Sequence, residues 1–379
     1  ECRYLRIQLF SLGQDRSVST IALAELTLKP IEFGASREAF FGAIAREAPR
    51  GSYPRSMIGE PTYWTVVGAD SSKDELLFSA DGMLEIGKQL GSIEPFLELN
   101  GRRISWADAD ITQDRIDNLP IPRVTWNVDG VKLTITPFDH VNREVCVRYR
   151  IENTTAQPIE ATLHLAIRPF QVNPPAQFLN FPGGTARLGS ISLENSSKQS
   201  FTSDGAPGPS KHGPAILLVD DRKINVGNAT LSEATFQQGD IVETWLATGR
   251  LPASGATVDP VGAASGILSY LLKTLPPGGS TETNLVISLT PGLPVPRSAT
   301  LSPAMQLSPD STASATFQQW QDESLARWKA RSGNIGITLP ALAQPLLESM
   351  SAQVGYILIN RSGPAIQPGT RAYARSWIR

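Results

Sequence analysis

The sequence predicts a mainly β chain whose body is one large two-sheet β-sandwich with helical segments on either side. Three observations carry this. Between residues 55 and 305, apolar residues recur at every second position in run after run, the period of a strand with one buried face. The 31 glycines and 29 prolines are spread along all 379 residues, which marks many turns and so many short strands. Helical spacing of apolar residues is confined to a segment near residue 40 and to the region after residue 315.

Taken in order, residues 1–32 read as the closing strands of a separate β-sandwich. In "RYLRIQLF", Arg3, Leu5, Ile7 and Leu9 alternate with Tyr4, Arg6 and Gln8, and "TIALAELTL" follows after a polar loop. The chain opens on a strand pattern at Glu1 rather than on Met, so both ends are expected to be cut from a longer polypeptide. Residues 33–54 read as a connecting helix and linker. Ser36 is its N-cap, Phe40, Phe41, Ile44 and Ala48 share a face, and Pro49 with Gly51 ends it.

Residues 55–305 are the sandwich. In "RVTWNVDGVKLTITPF", Val124, Trp126 and Val128 alternate, Asp129-Gly130 accepts positive φ, and Val131, Leu133 and Ile135 alternate again: a hairpin. Val145, Val147, Tyr149 and Ile151 form the inner face of the next strand, and Leu163, Leu165 and Ile167 that of the one after. "PAILLVD", "DIVETWLAT", "GILSYLLKTL" and "TNLVISLT" read as further strands. Residues 170–212, poor in periodicity, read as long loops, and 291–315 as linker. Residues 306–336 read as a helical linker with Phe317, Trp320, Leu325 and Trp328 on one face. Residues 337–379 read as a helix and its following loop. Thr338 caps that helix, and Leu342, Leu346, Leu347, Met350, Val354, Ile357 and Leu358 form a broad apolar face that one helix cannot bury alone.

Composition excludes several function classes. A net charge of −2 gives no electrostatic footprint for nucleic acid or an anionic membrane. No apolar run reaches the length of a membrane span, and no secretory leader pattern is present. The two cysteines, Cys2 and Cys146, make no disulfide framework and read as buried thiols. His140, His164 and His212 are scattered, and no metal-ligand spacing or cofactor motif occurs, so neither metal nor cofactor is expected. "GMLEIGK" falls short of a phosphate loop because Gln89 stands where Ser or Thr would hold magnesium. Asn153, Asn195, Asn228 and Asn360 fit the glycosylation triplet.

Two stretches offer ligand chemistry. "WADADITQDRID" sets Asp108, Asp110, Asp114 and Asp117 after Trp106; it reads as an acidic loop in which Trp106 and Asp108 suit the apolar face and the hydroxyls of a sugar. "RAYARSWIR" offers flat apolar surfaces at Tyr373 and Trp377 and forks of N–H donors at Arg375 and Arg379. That pairing suits polyhydroxylated rings, and the alternative is a basic tail.

Within it, "YARSWIR" resembles the start of the W-I-R-D loop of six-hairpin, (α/α)6-barrel glycosidases, the group of glucoamylase-like and debranching-like enzymes and disaccharide phosphorylases. "SYPRSMIGEPTYWTVVG", "SIEPFLELNGRRISWAD" and "VRYRIENTTAQPIEATLHLAIRPFQVNPP" look like the galactose-mutarotase-like supersandwich that precedes such barrels, and residues 1–32 look like the end of a discoidin-type sandwich. The resemblance implies that residues 337–379 begin a barrel. It also implies that Arg379 hydrogen-bonds a sugar at the cleavage subsite, with Trp377 as a neighbouring wall. The partners implied are an oligo- or polysaccharide and the downstream barrel of the same parent chain. The motif's Asp and the group's catalytic carboxylates lie past residue 379, so no catalytic residue is named. Two other functions are weighed: a non-catalytic carbohydrate-binding module working through Trp106, and a mutarotase-like epimerase, which needs His140 or His164 paired with a carboxylate on one concave face.

Overall fold

The computed structural model describes residues 29, 31–72, 74–141, 143–175, 182–195, 215–226, 231–252, 255–289, 312–332 and 336–371. Two antiparallel sheets pack face to face, with a few helices around them, as the alternating patterns predict. The first sheet runs in the order β1 (Trp64–Val67), β2 (Leu76–Ser79), β3 (Leu84–Glu85), β4 (Ser92–Leu99), β10 (Ile159–Arg168), β16 (Ser265–Leu275) and β14 (Leu231–Gln237). An eighth strand, β5 (Arg102–Ile104), pairs with β4. The nine-stranded second sheet runs β15 (Ala256–Val258), β11 (Ser190–Asn195), β12 (Ala215–Val219), β13 (Arg222–Asn225), β17 (Ser280–Ser288), β9 (Glu144–Asn153), β8 (Val131–His140), β7 (Pro122–Val128) and β6 (Asp110–Arg115).

The core lies between the sheets. Trp126, Leu133, Ile135, Val145, Val147, Tyr149 and Ile151 meet Leu97, Leu163, Leu165, Ile167, Leu268 and Tyr270, all buried. Each fully buried aliphatic side chain of this kind contributes about 1.5–3 kcal/mol. The β7–β8 hairpin closes on Asp129 and Gly130, both with positive φ (49° and 74°), and Val128 faces Val131 across it. Asn153 is closed inside the fold: its amide donates to the Gln157 and Leu275 carbonyls (2.7 and 3.0 Å), so that glycosylation triplet is already occupied.

The helices correct several expectations. α1 (Arg37–Glu47) is capped by Ser36, whose Oγ accepts from the Ala39 N–H, as expected; its buried face is Phe41, Gly42 and Ala45, with Phe40 turned outward. "DIVETWLAT" is not a strand. It is helix α2 (Ile241–Thr248), because Asp240 caps it by accepting from the Val242 N–H, Ile241, Val242 and Trp245 share one buried face, and Gly249 ends it with a left-handed φ of 69°. The acidic stretch expected as a loop is the edge strand β6 over Asp110–Arg115, and β11 lies inside the stretch expected to be irregular. α3 (Thr312–Ser332) packs on the outer face of the nine-stranded sheet, where Phe317 and Trp328 join Phe138, Cys146 and Val286 in a second buried cluster. Cys146 is fully buried, and burial pushes its thiol well up.

α4 (Gln344–Asn360) starts with Pro345 in its first turn; Thr338 lies in the irregular approach and does not cap it. Its buried face is Ala352, Gly355 and Ile359; of the large apolar residues expected there, Leu347, Val354 and Leu358 are half-buried, Leu346, Met350 and Ile357 are 65%, 53% and 48% exposed, and Leu342, in the turn before the helix, is 96% exposed. Small residues face inward because the helix approaches closely; a Cβ on Gly355 would sit 2.5 Å from Pro120 Cγ. Among the described residues, no helix is long and apolar enough to cross a membrane. Residues 1–28, expected to be strands, lie outside the described residues.

Candidate functional site

Of the residues singled out in the C-terminal stretch, Tyr373, Arg375, Trp377 and Arg379 lie outside the described residues, and Arg371 is the described part of that stretch. Its setting is informative. Beyond α4 the chain is tied to the rim of the eight-stranded sheet. Arg361 holds Asp70 through two hydrogen bonds (2.7 and 3.0 Å), Ser71 N–H donates to the Leu358 carbonyl (3.0 Å), and Thr370 Oγ1 donates to Glu75 Oε2 (2.7 Å). Arg371 is 3% exposed and pairs with Glu85, whose side chain is fully buried in β3. Val172 N–H also donates to Glu85 (3.0 Å). Burial pushes the Glu85 carboxyl upward, and the Arg371 guanidinium opposes that push. Removing either partner would strand a buried charge.

Trp106 and Asp108 are placed differently from their expected role. Trp106 is 6% exposed, its Nε1 donates to the Tyr53 carbonyl (3.1 Å), and the Arg50 and Arg55 guanidinium groups lie over the indole at 4.6 and 4.1 Å. It presents no open face to a sugar ring. Asp108 closes a turn, accepting from Ser105 N–H and Oγ (both 2.9 Å) and from Arg102 (3.2 Å). Asp114 pairs with Arg123 and Asp117 with Lys329, so these carboxylates do not converge on one point.

A cleft that sequence reasoning missed lies on the outer face of the eight-stranded sheet. Because Leu97, Leu163, Leu165, Leu268 and Tyr270 point into the core, the alternate residues Phe96 and Glu98 on β4, Thr162, His164 and Arg168 on β10, and Ser269 and Leu271 on β16 point away from it. α2 covers part of this face: Ile241, Val242 and Trp245 pack on Phe96, Ala166 and Ile267. Its start is pinned by Arg168, fully buried, which holds both Asp240 and Glu94 (2.9 Å to the latter). Tyr53 donates to Glu243 in the first turn (3.1 Å).

α2 stops at Gly249, and past Trp245 the face opens into a cleft of about 520 Å³. Its floor holds a row across three strands: Glu233 faces Ser269, and Ser269 faces His164. His164 Nδ1 is 2.9 Å from Ser269 Oγ, and its ring lies against Trp245 with centroids 4.5 Å apart and planes tilted at 49°. Its Nε2 is buried without a hydrogen-bond partner. Burial pushes the imidazole down to about 4, so it is neutral at pH 7. Glu98 and Arg250 complete the polar wall, and Leu271, 56% exposed, is an apolar patch within it. The hydrogen-bond partner of His164 is Ser269 and not a carboxylate; Glu98 and Glu233 line the same cleft. His140, the other histidine weighed for acid–base work, contacts Glu144 (3.3 Å) but lies under Trp320 of α3 on the opposite sheet. The signals that could have located the cleft were the Asp240 cap and Gly249 stop of α2, together with the polar alternate set on β10 and β16.

Among the described residues no group of three or more His, Cys, Asp or Glu could hold a metal ion. No protein-family model and no curated protein matches the chain. Among solved structures, the chain is similar to one from Escherichia coli K12 that is provisionally described as an aldose 1-epimerase. The identity is 10%, and the match covers 60% of this chain and 99% of that one at a TM-score of 0.30. At that score the likeness carries no argument about chemistry.

Proposed function

We propose that this chain is the sandwich portion of a carbohydrate-active, glycoside-hydrolase-like enzyme acting on glycosidic bonds of an oligo- or polysaccharide. In it the sandwich carries a helical unit and holds Arg371 at its edge. The domains are those read from the sequence: 1–32, 33–54, 55–305, 306–336 and the start of an (α/α)6 barrel at 337–379. The observation that carries this reading is α4. One side of it is fixed to the sandwich through Ala352, Gly355 and Ile359, while Leu346, Met350 and Ile357 stand exposed in a stripe that further helices would bury. The Arg371–Glu85 pair supports it, since a buried ion pair fixes the first residue of the arginine-and-aromatic stretch on the sandwich. Tyr373, Arg375, Trp377 and Arg379 then contact sugar, and the acid and base act from the downstream barrel. No residue of this chain is assigned a catalytic role, and no cofactor is called for.

The test is to assay residues 1–379 and a longer parent chain side by side for release of reducing ends from a panel of α- and β-glucans. Release is expected from the longer chain only. Release by residues 1–379 alone would overturn the placement of the chemistry.

A further inference from the structure

We infer that the cleft over β4, β10, β16 and β14 is a binding site for one neutral polyhydroxylated ring, an aldose or the terminal unit of a glycan. The choice of ligand rests on the carbohydrate reading above; the existence of the site rests on its geometry.

Size comes first. The cleft volume of about 520 Å³ lies within the ~300–1,000 Å³ of small-ligand sites. Three inter-strand steps separate Glu98 on β4 from Glu233 on β14, roughly 14 Å of backbone at ~4.8 Å per step. Between those carboxylates lie the hydroxyls of Thr162 and Ser269 and the His164 ring. Charge comes second. Two carboxylates and one guanidinium, Arg250, line the cleft, and the imidazole is uncharged, so the balance disfavours an anion. Chemistry comes third. Carboxylates accept from pairs of ligand hydroxyls, Arg250 donates to ring or hydroxyl oxygens, and Leu271 supplies the apolar surface that the C–H face of a sugar needs. His164 is held in place beneath the cleft by Ser269, and the polar groups at the cleft wall, Glu98, Glu233 and Arg250, are the ones that meet a ligand.

The test is calorimetric titration of the 379-residue chain with D-glucose, D-galactose, D-mannose and D-xylose, with glucose 6-phosphate as the anionic control. Saturable binding of at least one neutral aldose is expected. Glu98→Gln and Arg250→Ala, both changes on the cleft wall outside the core, are each expected to weaken it roughly tenfold, the effect of losing one charge-assisted hydrogen bond, with an unchanged melting temperature. No saturable binding of any neutral sugar, binding of the phosphate ester alone, or sugar binding indifferent to both substitutions would each overturn the site. Failure here leaves the glycosidic-cleavage test untouched, because that test is read on the longer chain.

Discussion

Each sheet has an outer face with a histidine lying against a tryptophan, and the two faces end differently. On the nine-stranded sheet the 21-residue α3, about 31 Å long, lies over the histidine and runs on past it. Asp139 there accepts from Ser324 Oγ (2.5 Å), Trp328 Nε1 (2.6 Å) and Arg327 (2.9 Å), and His140 stacks on Trp320 at 4.2 Å. On the eight-stranded sheet α2 has eight residues, about 12 Å, and stops short. His164 lies against Trp245, with the rings tilted at 49°, and beyond them the face is left as an open cleft. Outward polar residues on a strand are raw material. The length of the helix laid over them decides whether they become internal structure or the wall of a site.

The largest expected effect comes from cutting the anchor of the short helix. Arg168→Ala leaves Glu94 and Asp240 buried without their cation and should cost roughly 3–5 kcal/mol in urea unfolding. A loss below about 1 kcal/mol would show that α2 is held by its apolar face alone. Next is the pH dependence of the open face. The His164 imidazole sits at about 4 in the folded chain against about 6.5 unfolded, so the unfolded chain takes up the proton first as pH falls. Its contribution, about 3 kcal/mol, is complete above pH ~6.5 and is lost between there and pH ~4. His164→Gln should therefore flatten the acid limb of the stability–pH curve relative to the native chain, and parallel curves would refute the assignment.

A smaller effect is expected on the covered face. Ser324→Ala removes one of the donors to Asp139 and should cost about 1–2 kcal/mol by the same measurement, since the buried carboxylate keeps its other partners. The smallest belongs to the cleft. Leu271→Ser should change stability by less than about 0.5 kcal/mol, because its side chain is already in solvent. A large loss there would mean that the cleft is closed in solution and that the contrast between the faces is overstated.

Much of the sandwich was legible from residue patterns. Val124 to Ile135 reported its own hairpin because period-two burial and an Asp-Gly turn are both local signals. α2 looks like a strand because Ile241, Val242 and Trp245 are β-branched or aromatic residues in a short apolar run; the Asp240 cap and the Gly249 stop are the local signals for a helix. The polar edge strand β6 resembles a loop in sequence because, at the sheet margin, little in its burial pattern alternates. For α4, the widest apolar stripe was assumed to be the buried one, whereas close approach to Pro120 selects the small residues. The clamp of Arg371 on Glu85 and the row Glu233–Ser269–His164 join residues far apart in the chain, and no local period encodes them.

Cys146 turns the covered face into something that can be timed. Its thiol lies beneath α3 with no exposed surface, while burial holds it in the unreactive protonated form. With Cys2 replaced by serine, a thiol reagent can modify the chain only when α3 lifts from the sheet. The labelling rate, compared with that of the unfolded chain, then clocks the opening of that one helix while the rest of the sandwich stays folded.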